Sequence, residues 1–137
     1  MTEPTFASVG VTPTRSTLPP RRLAVTETVE VAGHAFHATV GIDPKDGRPR
    51  EVFLSGAKDG SLLAAILDDA SVVVSIALQH GIPAAALAKS VARLPVAPLA
   101  PPYLNAEPQP AQAASVIGAA LDLVRKFESP VNEEGED

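Results

Sequence analysis

A chain of 137 residues with 14 prolines, four Phe and one Tyr can build one modest hydrophobic core, which excludes a TIM barrel or a two-domain dinucleotide enzyme. The absence of cysteine from the sequence excludes a disulfide framework, a thiol nucleophile and every Cys-based zinc or iron–sulfur site. The net charge of −5 resides in residues 128–137, so residues 1–127 are formally neutral and offer no basic surface for nucleic acid.

Residues 1–22 combine four prolines with Thr, Ser and Arg and show no apolar periodicity, which is typical of a flexible arm. Arg15, Arg21 and Arg22 make this arm mildly basic. That composition suits either an acidic partner surface or simple solvation.

Nothing in the sequence indicates a membrane or an export signal. The N-terminus carries an acid where a secretion signal needs basic residues. No apolar run reaches the roughly 18 residues of a membrane span, because Asp68, Asp69 and Gln79 interrupt residues 61–81. We therefore expect a cytoplasmic protein that makes no membrane contact.

Three strands are predicted after the arm. Apolar residues occupy alternate positions over residues 23–31 and again over residues 36–42, and Gly33 permits the turn between them. Residues 43–48, with Pro, Asp and Gly, are typical of a tight connection, so a third strand is expected over residues 49–54. These elements predict a three-stranded meander.

Two helices are predicted next. Apolar residues at spacings of three and four favour a long helix that begins at an N-cap, Ser61, and ends at Gly81. Pro83 stops this helix and suits the first turn of a shorter one that ends at Ala92. Because the long helix is so apolar, it must be covered on more than one side, by the sheet and by another helix or a second subunit.

The C-terminal third predicts one more helix. Six prolines in residues 95–110 favour an extended strap, a helix is expected from about Ala111 to Phe127, and residues 129–137 form an acidic tail. The expected fold is α+β: a small three-stranded antiparallel meander packed on two to three helices, with a flexible N-terminal arm and an acidic C-terminal tail. Residues 23–128 form its single domain.

The three histidines do not predict a metal site. His34 and His37 are three residues apart on a strand, which places them on opposite faces. His80 lies at a helix end, where a cation is favourable, and no acid completes a catalytic set around it. We expect no catalytic residue, no metal and no cofactor.

The turn before the long helix has two interpretations. A Gly-rich turn with Lys58, Gly60 and Ser61 can hold a phosphate through backbone N–H groups at a helix N-terminus. The turn lacks the Walker spacing, however, and a strand-to-helix turn that needs glycine explains the same residues. Arg48 and Arg50, expected near the same end of the sheet, favour a ligand.

Three runs of sequence, at residues 46–54 (DGRPREVFL), 58–61 (KDGS) and 75–83 (SIALQHGIP), resemble the TSCPD domain. That domain is found as the C-terminal part of adenosylcobalamin-dependent ribonucleotide reductases and as short stand-alone proteins. The resemblance covers about residues 23–94. The Thr-Ser-Cys-Pro-Asp signature of the family, expected after the second helix, is absent.

The resemblance implies an association with ribonucleoside-diphosphate reductase activity, but not catalysis by this chain. The reductases use cysteines and a cofactor site in a large barrel, and this chain has neither. We therefore expect a non-catalytic accessory or regulatory module in deoxyribonucleotide synthesis, whose partner is a ribonucleotide reductase subunit or a nucleotide. The residues expected to bind the ligand or partner are Arg48, Glu51, Phe53, Lys58, Gly60, Ser61, Gln79 and His80.

An alternative hypothesis is that the chain is a homodimeric protein-interaction module unrelated to nucleotide metabolism. In it, the apolar helices form the dimer and the sheet edge meets a different partner.

Overall fold

The computed structural model of the chain describes residues 11–94 and 112–128. The predicted strap, the predicted tail and the first ten residues of the predicted arm lie outside the described residues. Three strands are followed by three helices, which confirms the α+β class. They are β1 (Leu23–Val31), β2 (His34–Ile42), β3 (Pro49–Ser55), α1 (Leu62–Gln79), α2 (Ala84–Ala88) and α3 (Val116–Phe127).

The strands form the predicted antiparallel meander, in the order β1-β2-β3. Ala32 and Gly33 make the first turn, both with positive φ (53° and 82°), as in the two-residue turns that match the twist of a hairpin. Along each strand, alternate side chains face the core. The buried side chains of the sheet include Phe36, Ala38, Val40, Val52 and Leu54.

Helix α1 lies along the outer edge of β3 and is bonded to it by two serines. The backbone N–H of Leu54 donates to Ser71 Oγ (3.0 Å), and that of Val52 donates to Ser75 Oγ (2.9 Å). Ser75 Oγ donates in return to the Val52 carbonyl (3.2 Å). Both serines are buried. The edge of β3 is therefore closed by side chains of a helix instead of by another strand.

Arg50, near the start of β3, joins this strand to the C-terminal end of α1. Its guanidinium donates to the carbonyl of Leu78, in the last turn of α1, and to the Asp46 carboxylate, each at 2.9 Å. A cation at a helix C-terminus is favourable because of the helix dipole. Arg50 is buried and serves this structural contact, so it is not part of a ligand-binding surface.

Helix α3 covers the inner face of the sheet and completes the core. Its buried side chains are Val116, Ala120, Leu121, Leu123 and Val124. Beyond its end, the Glu128 carboxylate accepts hydrogen bonds from the backbone N–H groups of Ala84 and Ala85. This contact ties α2 to the end of α3.

Two helix boundaries differ from the prediction. Helix α2 ends at Ala88 instead of Ala92, and α3 begins at Val116 instead of about Ala111. The cause is a short antiparallel bridge between residues 92–94 and 112–114, in which Leu94 N donates to the Gln112 carbonyl (2.8 Å) and Ala114 N donates to the Ala92 carbonyl (3.1 Å). Bridge residues cannot also be helical.

An ion pair supports this bridge. Arg93 donates to both carboxylate oxygens of Asp122 in α3, each at 2.7 Å. The hydrogen bond from Arg93 lowers the pKa of Asp122 below its usual value, although partial burial opposes this shift.

The first prediction concerns the serine hydrogen bonds that close the edge of β3. Ser75→Ala leaves the buried Val52 N–H without a partner, so we expect the free energy of unfolding to fall by about 1 to 3 kcal/mol. Urea denaturation measures the loss. Ser90→Ala is the matched control, because Ser90 is exposed and its hydroxyl makes no hydrogen bond within the described residues. Equal stability of the two variants would contradict the assigned role of Ser75.

The second prediction concerns pH. Because the folded state lowers the pKa of Asp122, its pair with Arg93 stabilises the protein above the ordinary pKa of 3.8, and this contribution is lost as the pH falls through the lower folded pKa. Asp122→Asn should therefore be less stable than wild type at pH 7, with a difference that shrinks in acid. Urea denaturation between pH 7 and pH 3 checks this, with Asp69→Asn as the control. A difference that is independent of pH would contradict it.

Candidate functional site

The open face of the sheet and one side of α1 enclose a cleft of about 350 Å³. Because α1 lies beside β3 instead of across the sheet, the outer face of β3 forms one wall and the helix the other. Such a volume is at the lower end of the range for small-molecule sites. The residues that line this cleft are Arg15, Glu51, Phe53, Leu54, Asp68, Ser71, Val72, Ser75 and Gln79.

Strand alternation places Glu51 and Phe53 in the cleft. Val52 and Leu54 point into the core, so the residues between and before them point to the opposite face. Phe53 is 51% exposed, an unusual position for an aromatic ring in a chain with so few of them. Glu51 and Phe53 therefore share the face of β3 that is opposite to the core.

Glu51 is held by an arginine from the segment before β1. Its Oε2 is 2.6 Å from Arg22 Nε. The Glu51 side chain lies over Gly41 of β2, where a Cβ atom would come within 2.6 Å of the same oxygen. Gly41 therefore gives the carboxylate room to lie on the sheet.

Arg15 and Gln79 form the end of the cleft nearest the C-terminus of α1. Arg15 Nε donates to Gln79 Oε1. The segment that carries Arg15 is bonded to the helix end, since Thr12 N donates to the His80 carbonyl (2.9 Å) and Ser16 N to the Gln79 carbonyl (2.8 Å). The second half of the predicted arm thus contacts the domain.

Arg15 was not among the site residues that the sequence predicted. Its segment has no periodicity, and its position depends on backbone hydrogen bonds to residues more than 60 positions away. The only signal in the sequence was the basic character of the arm, and Arg21 shares that character without lining the cleft.

The other predicted site residues lie away from the cleft. Arg48 precedes β3 and Lys58 follows it, so the expectation that Arg48 and Arg50 share an end of the sheet with Lys58 is wrong. The seven residues of β3 separate them by about 20 Å. His80 lies beyond the last turn of α1, where its Nδ1 is 2.6 Å from the Thr12 carbonyl.

The turn with Lys58, Gly60 and Ser61 has its own internal hydrogen bonds. Ser61 is the predicted N-cap of α1, and its Oγ accepts from Ala64 N (3.1 Å), while Ser61 N donates to the Lys58 carbonyl (3.0 Å). Gly60 has a φ of 79°, which a residue with a side chain rarely adopts. These contacts account for the turn without a ligand, and phosphate binding there stays a prediction.

The described residues 11–94 and 112–128 hold no group of three His, Asp or Glu side chains that could bind a metal ion. The polar groups that line the cleft are the carboxylates of Glu51 and Asp68, the guanidinium of Arg15, the amide of Gln79 and two serine hydroxyls, beside the aromatic ring of Phe53.

The outward side of α1 is a second exposed feature. Leu62, Ile66, Asp69 and Val73 follow one another at helical spacing on this side, which we name the α1 face. Leu62 is 78% exposed and Val73 66% exposed. The sequence predicts that α1 is covered on more than one side, by the sheet and by another helix or a second subunit. Within the described residues, the helix contacts the edge of β3, α3 near Ile117 and, at its C-terminal end, the segment that carries Arg15.

The apolar character of α1 also corrects the sequence-based statement on membrane segments. By length and composition, Leu62–Gln79 is apolar enough to cross a membrane, with a mean hydropathy of 1.8. The same helix carries Ser71 and Ser75, whose bonds to β3 a lipid-embedded helix would lose. A core helix of a small domain can have the same length and composition, so these two properties do not assign α1 to a membrane.

A family model for the TSCPD domain matches residues 11–124. The chain therefore belongs to the TSCPD domain family, as the resemblance of its three sequence runs indicated. No solved structure matches the chain.

The curated relatives that match are each named a vitamin B12-dependent ribonucleotide reductase. The one from Rhodopirellula baltica is 39% identical over 79 residues, which are 58% of this chain and 8% of the relative. Those from Streptantibioticus cattleyicolor and Streptomyces coelicolor are 41% identical over 71 residues, 52% of this chain and 12% and 7% of the relatives. The chain thus spans a small part of the proteins it resembles.

The third prediction concerns Ser61, the N-cap of α1. Ser61→Ala should lower the free energy of unfolding by about 1 kcal/mol, because Ala64 N loses its acceptor. Thermal and urea denaturation measure the loss, and Ser55→Ala, at the exposed end of β3, is the control. If Ser61→Ala instead kept full stability and lost affinity for inorganic phosphate, the turn would be a phosphate site and not a simple cap.

Proposed function

We propose that this member of the TSCPD domain family is a non-catalytic accessory module that docks on a ribonucleotide reductase and acts in deoxyribonucleotide synthesis. The names of its relatives support the partner, since each is a vitamin B12-dependent ribonucleotide reductase that contains a segment like this chain. The matching segment makes up 12% or less of those relatives, and we assign it an accessory role.

The composition of the chain supports a role without catalysis. It has no cysteine, and its described residues have no cluster for a metal ion. Within the described part, the side chains that could act in acid or base chemistry are engaged in structure or stand apart, as with His80 on the Thr12 carbonyl and Glu51 on Arg22.

The observation that carries the docking proposal is the α1 face. An exposed row of large apolar side chains on a small domain marks an interaction surface, because its burial in an interface gains about 25 cal/mol per Å². The face is continuous along the helix and is interrupted by a single charge, Asp69. The partner surface should thus be apolar, with one basic group opposite this carboxylate.

The same charge disfavours the homodimer as the alternative. In a symmetric dimer, the same patch of both copies meets itself. Pairing two α1 faces about their centre would bring the two Asp69 carboxylates together in an apolar interface, where like charges repel.

The fourth prediction tests the docking. The proposal expects the same genome to encode a B12-dependent reductase without its own TSCPD domain. Val73→Glu should weaken capture of that purified reductase by at least about tenfold, because a buried unpaired charge in an interface is costly. Leu23→Glu is the matched control, since Leu23 is exposed, apolar and distant from α1. Both variants should keep the thermal midpoint of the wild type.

Two results would contradict the proposal. One is equal capture by wild type and Val73→Glu. The other is concentration-dependent sedimentation of the chain alone as a dimer that Val73→Glu dissociates, which would favour the homodimer. Reduction of ribonucleotides by the chain alone would refute the non-catalytic role.

A further inference from the structure

The cleft between β3 and α1 has opposite charges at its two ends. At the end near the C-terminus of α1, Arg15 has no acidic partner within the described residues, and Arg22 faces Glu51. Farther along the helix, Asp68 makes no hydrogen bond or ion pair within the described residues. With a rise of 1.5 Å per residue, Asp68 and Gln79 are separated by about 16 Å along α1.

A flat apolar slot lies between these ends. Phe53 from β3 and Val72 from α1 line opposite walls, and both side chains are more than half exposed. The ring of Phe53 contributes little to the core, because it lies on the outer face of the sheet. Its exposed surface is available to a planar group.

The cationic end is held in place before any ligand arrives. Backbone hydrogen bonds of Thr12 and Ser16 fix the segment on both sides of Arg15, and Arg15 Nε donates to Gln79 Oε1. Within residues 11–94 and 112–128, the two terminal nitrogens of this guanidinium make no hydrogen bond, and we assign them to the ligand. Gln79 is only 4% exposed, so the side chain that accepts from Arg15 is itself held in the domain.

The ligand that suits this order of groups has an anion at one end, a planar ring in the middle and a hydrogen-bond donor beyond the ring. Nucleotides of adenine, cytosine or guanine have these parts in this order, since the ribose separates the base from the phosphate and each of these bases carries an exocyclic amine. Carboxylates accept from such amines, and guanidinium groups bind phosphate.

We infer that this cleft binds a nucleoside phosphate whose base carries an exocyclic amine, with the ring between Phe53 and Val72, the amine at Asp68 and the phosphate at Arg15. The inference deepens the proposed function, on which it rests for the cellular role of the ligand. It locates the nucleotide away from the Lys58 turn and assigns a ligand-binding role to Arg15 and Asp68.

Calorimetry on the full chain tests the ligand class. The probes are ADP, CDP and UDP, with adenosine, inorganic phosphate and pyrophosphate as the partial ligands. ADP and CDP should bind at least about tenfold more tightly than UDP and than any partial ligand, because the base and the phosphate both contribute. Equal affinity for CDP and pyrophosphate, or no heat with any nucleotide, would overturn the inference.

Two pairs of variants test the residues. Arg15→Gln should weaken CDP binding by about tenfold or more, whereas Arg21→Gln, on the same segment, should not. Asp68→Asn should remove the preference for CDP over UDP, because an amide can donate to the uracil oxygen. Asp69→Asn, one residue away and outside the cleft, should keep that preference. Circular dichroism checks that each variant is folded.

Arg15 could instead serve only the C-terminal end of α1, where a cation is favourable. In that case, Arg15→Gln would lower the thermal midpoint and leave nucleotide affinity unchanged, and the inference would be wrong. If Arg15→Gln does not fold, Asp68→Asn tests the inference by itself. Loss of the preference for CDP over UDP would support the inference, and an unchanged preference would overturn it.

The docking proposal and the cleft inference can be contradicted independently of each other. Val73→Glu, on the α1 face, should lose the reductase and keep CDP. Capture of the reductase without any nucleotide heat would overturn the cleft inference alone, and nucleotide binding without capture would overturn the docking proposal alone.

Discussion

The backbone groups on the outer edge of β3 must find partners, and the rest of the structure depends on how they do so. An open strand edge is costly when buried and prone to aggregation when exposed. Here, two serine hydroxyls from α1 take the place of a fourth strand. This requirement fixes the helix beside the sheet, in line with it, and not across its face.

The position of α1 explains both exposed features of the molecule. Because the helix is bonded by its serine side to a strand edge, one flank meets the open face of the sheet and forms the cleft. The opposite side carries Leu62, Ile66 and Val73 into solvent. A helix packed flat on the sheet would have buried these side chains and left no cleft. The cleft proposed for the ligand and the face proposed for the partner thus lie on different sides of one helix.

Much of the fold could be predicted from the sequence, because local chemistry determines it. Alternation predicted the strands, Ser61 predicted the start of α1, and Gly81, with a φ of 91°, follows its end as expected. The orientation of α1 could not be predicted, since apolar periodicity indicates an inward apolar stripe, while three of the five buried positions on this helix are polar. Of the residues that the sequence predicted for a site, Glu51, Phe53 and Gln79 line the cleft. Arg15 could not be predicted, because its position depends on contacts with residues distant in sequence.

The bridge between residues 92–94 and 112–114 has a consequence for how this domain can vary. It brings the two ends of the intervening residues together, and the Arg93–Asp122 pair anchors them to α3. When a folded domain holds the two ends of a connection together, the entropic cost of closing it rises slowly with length, by about 0.6 kcal/mol for each doubling. Evolution can therefore lengthen, shorten or rewrite residues 95–111 while the sheet, the cleft and α1 stay as they are. The cysteine-bearing signature of the family is missing from this chain, and a fold with such a junction can lose a segment of that kind without losing its core.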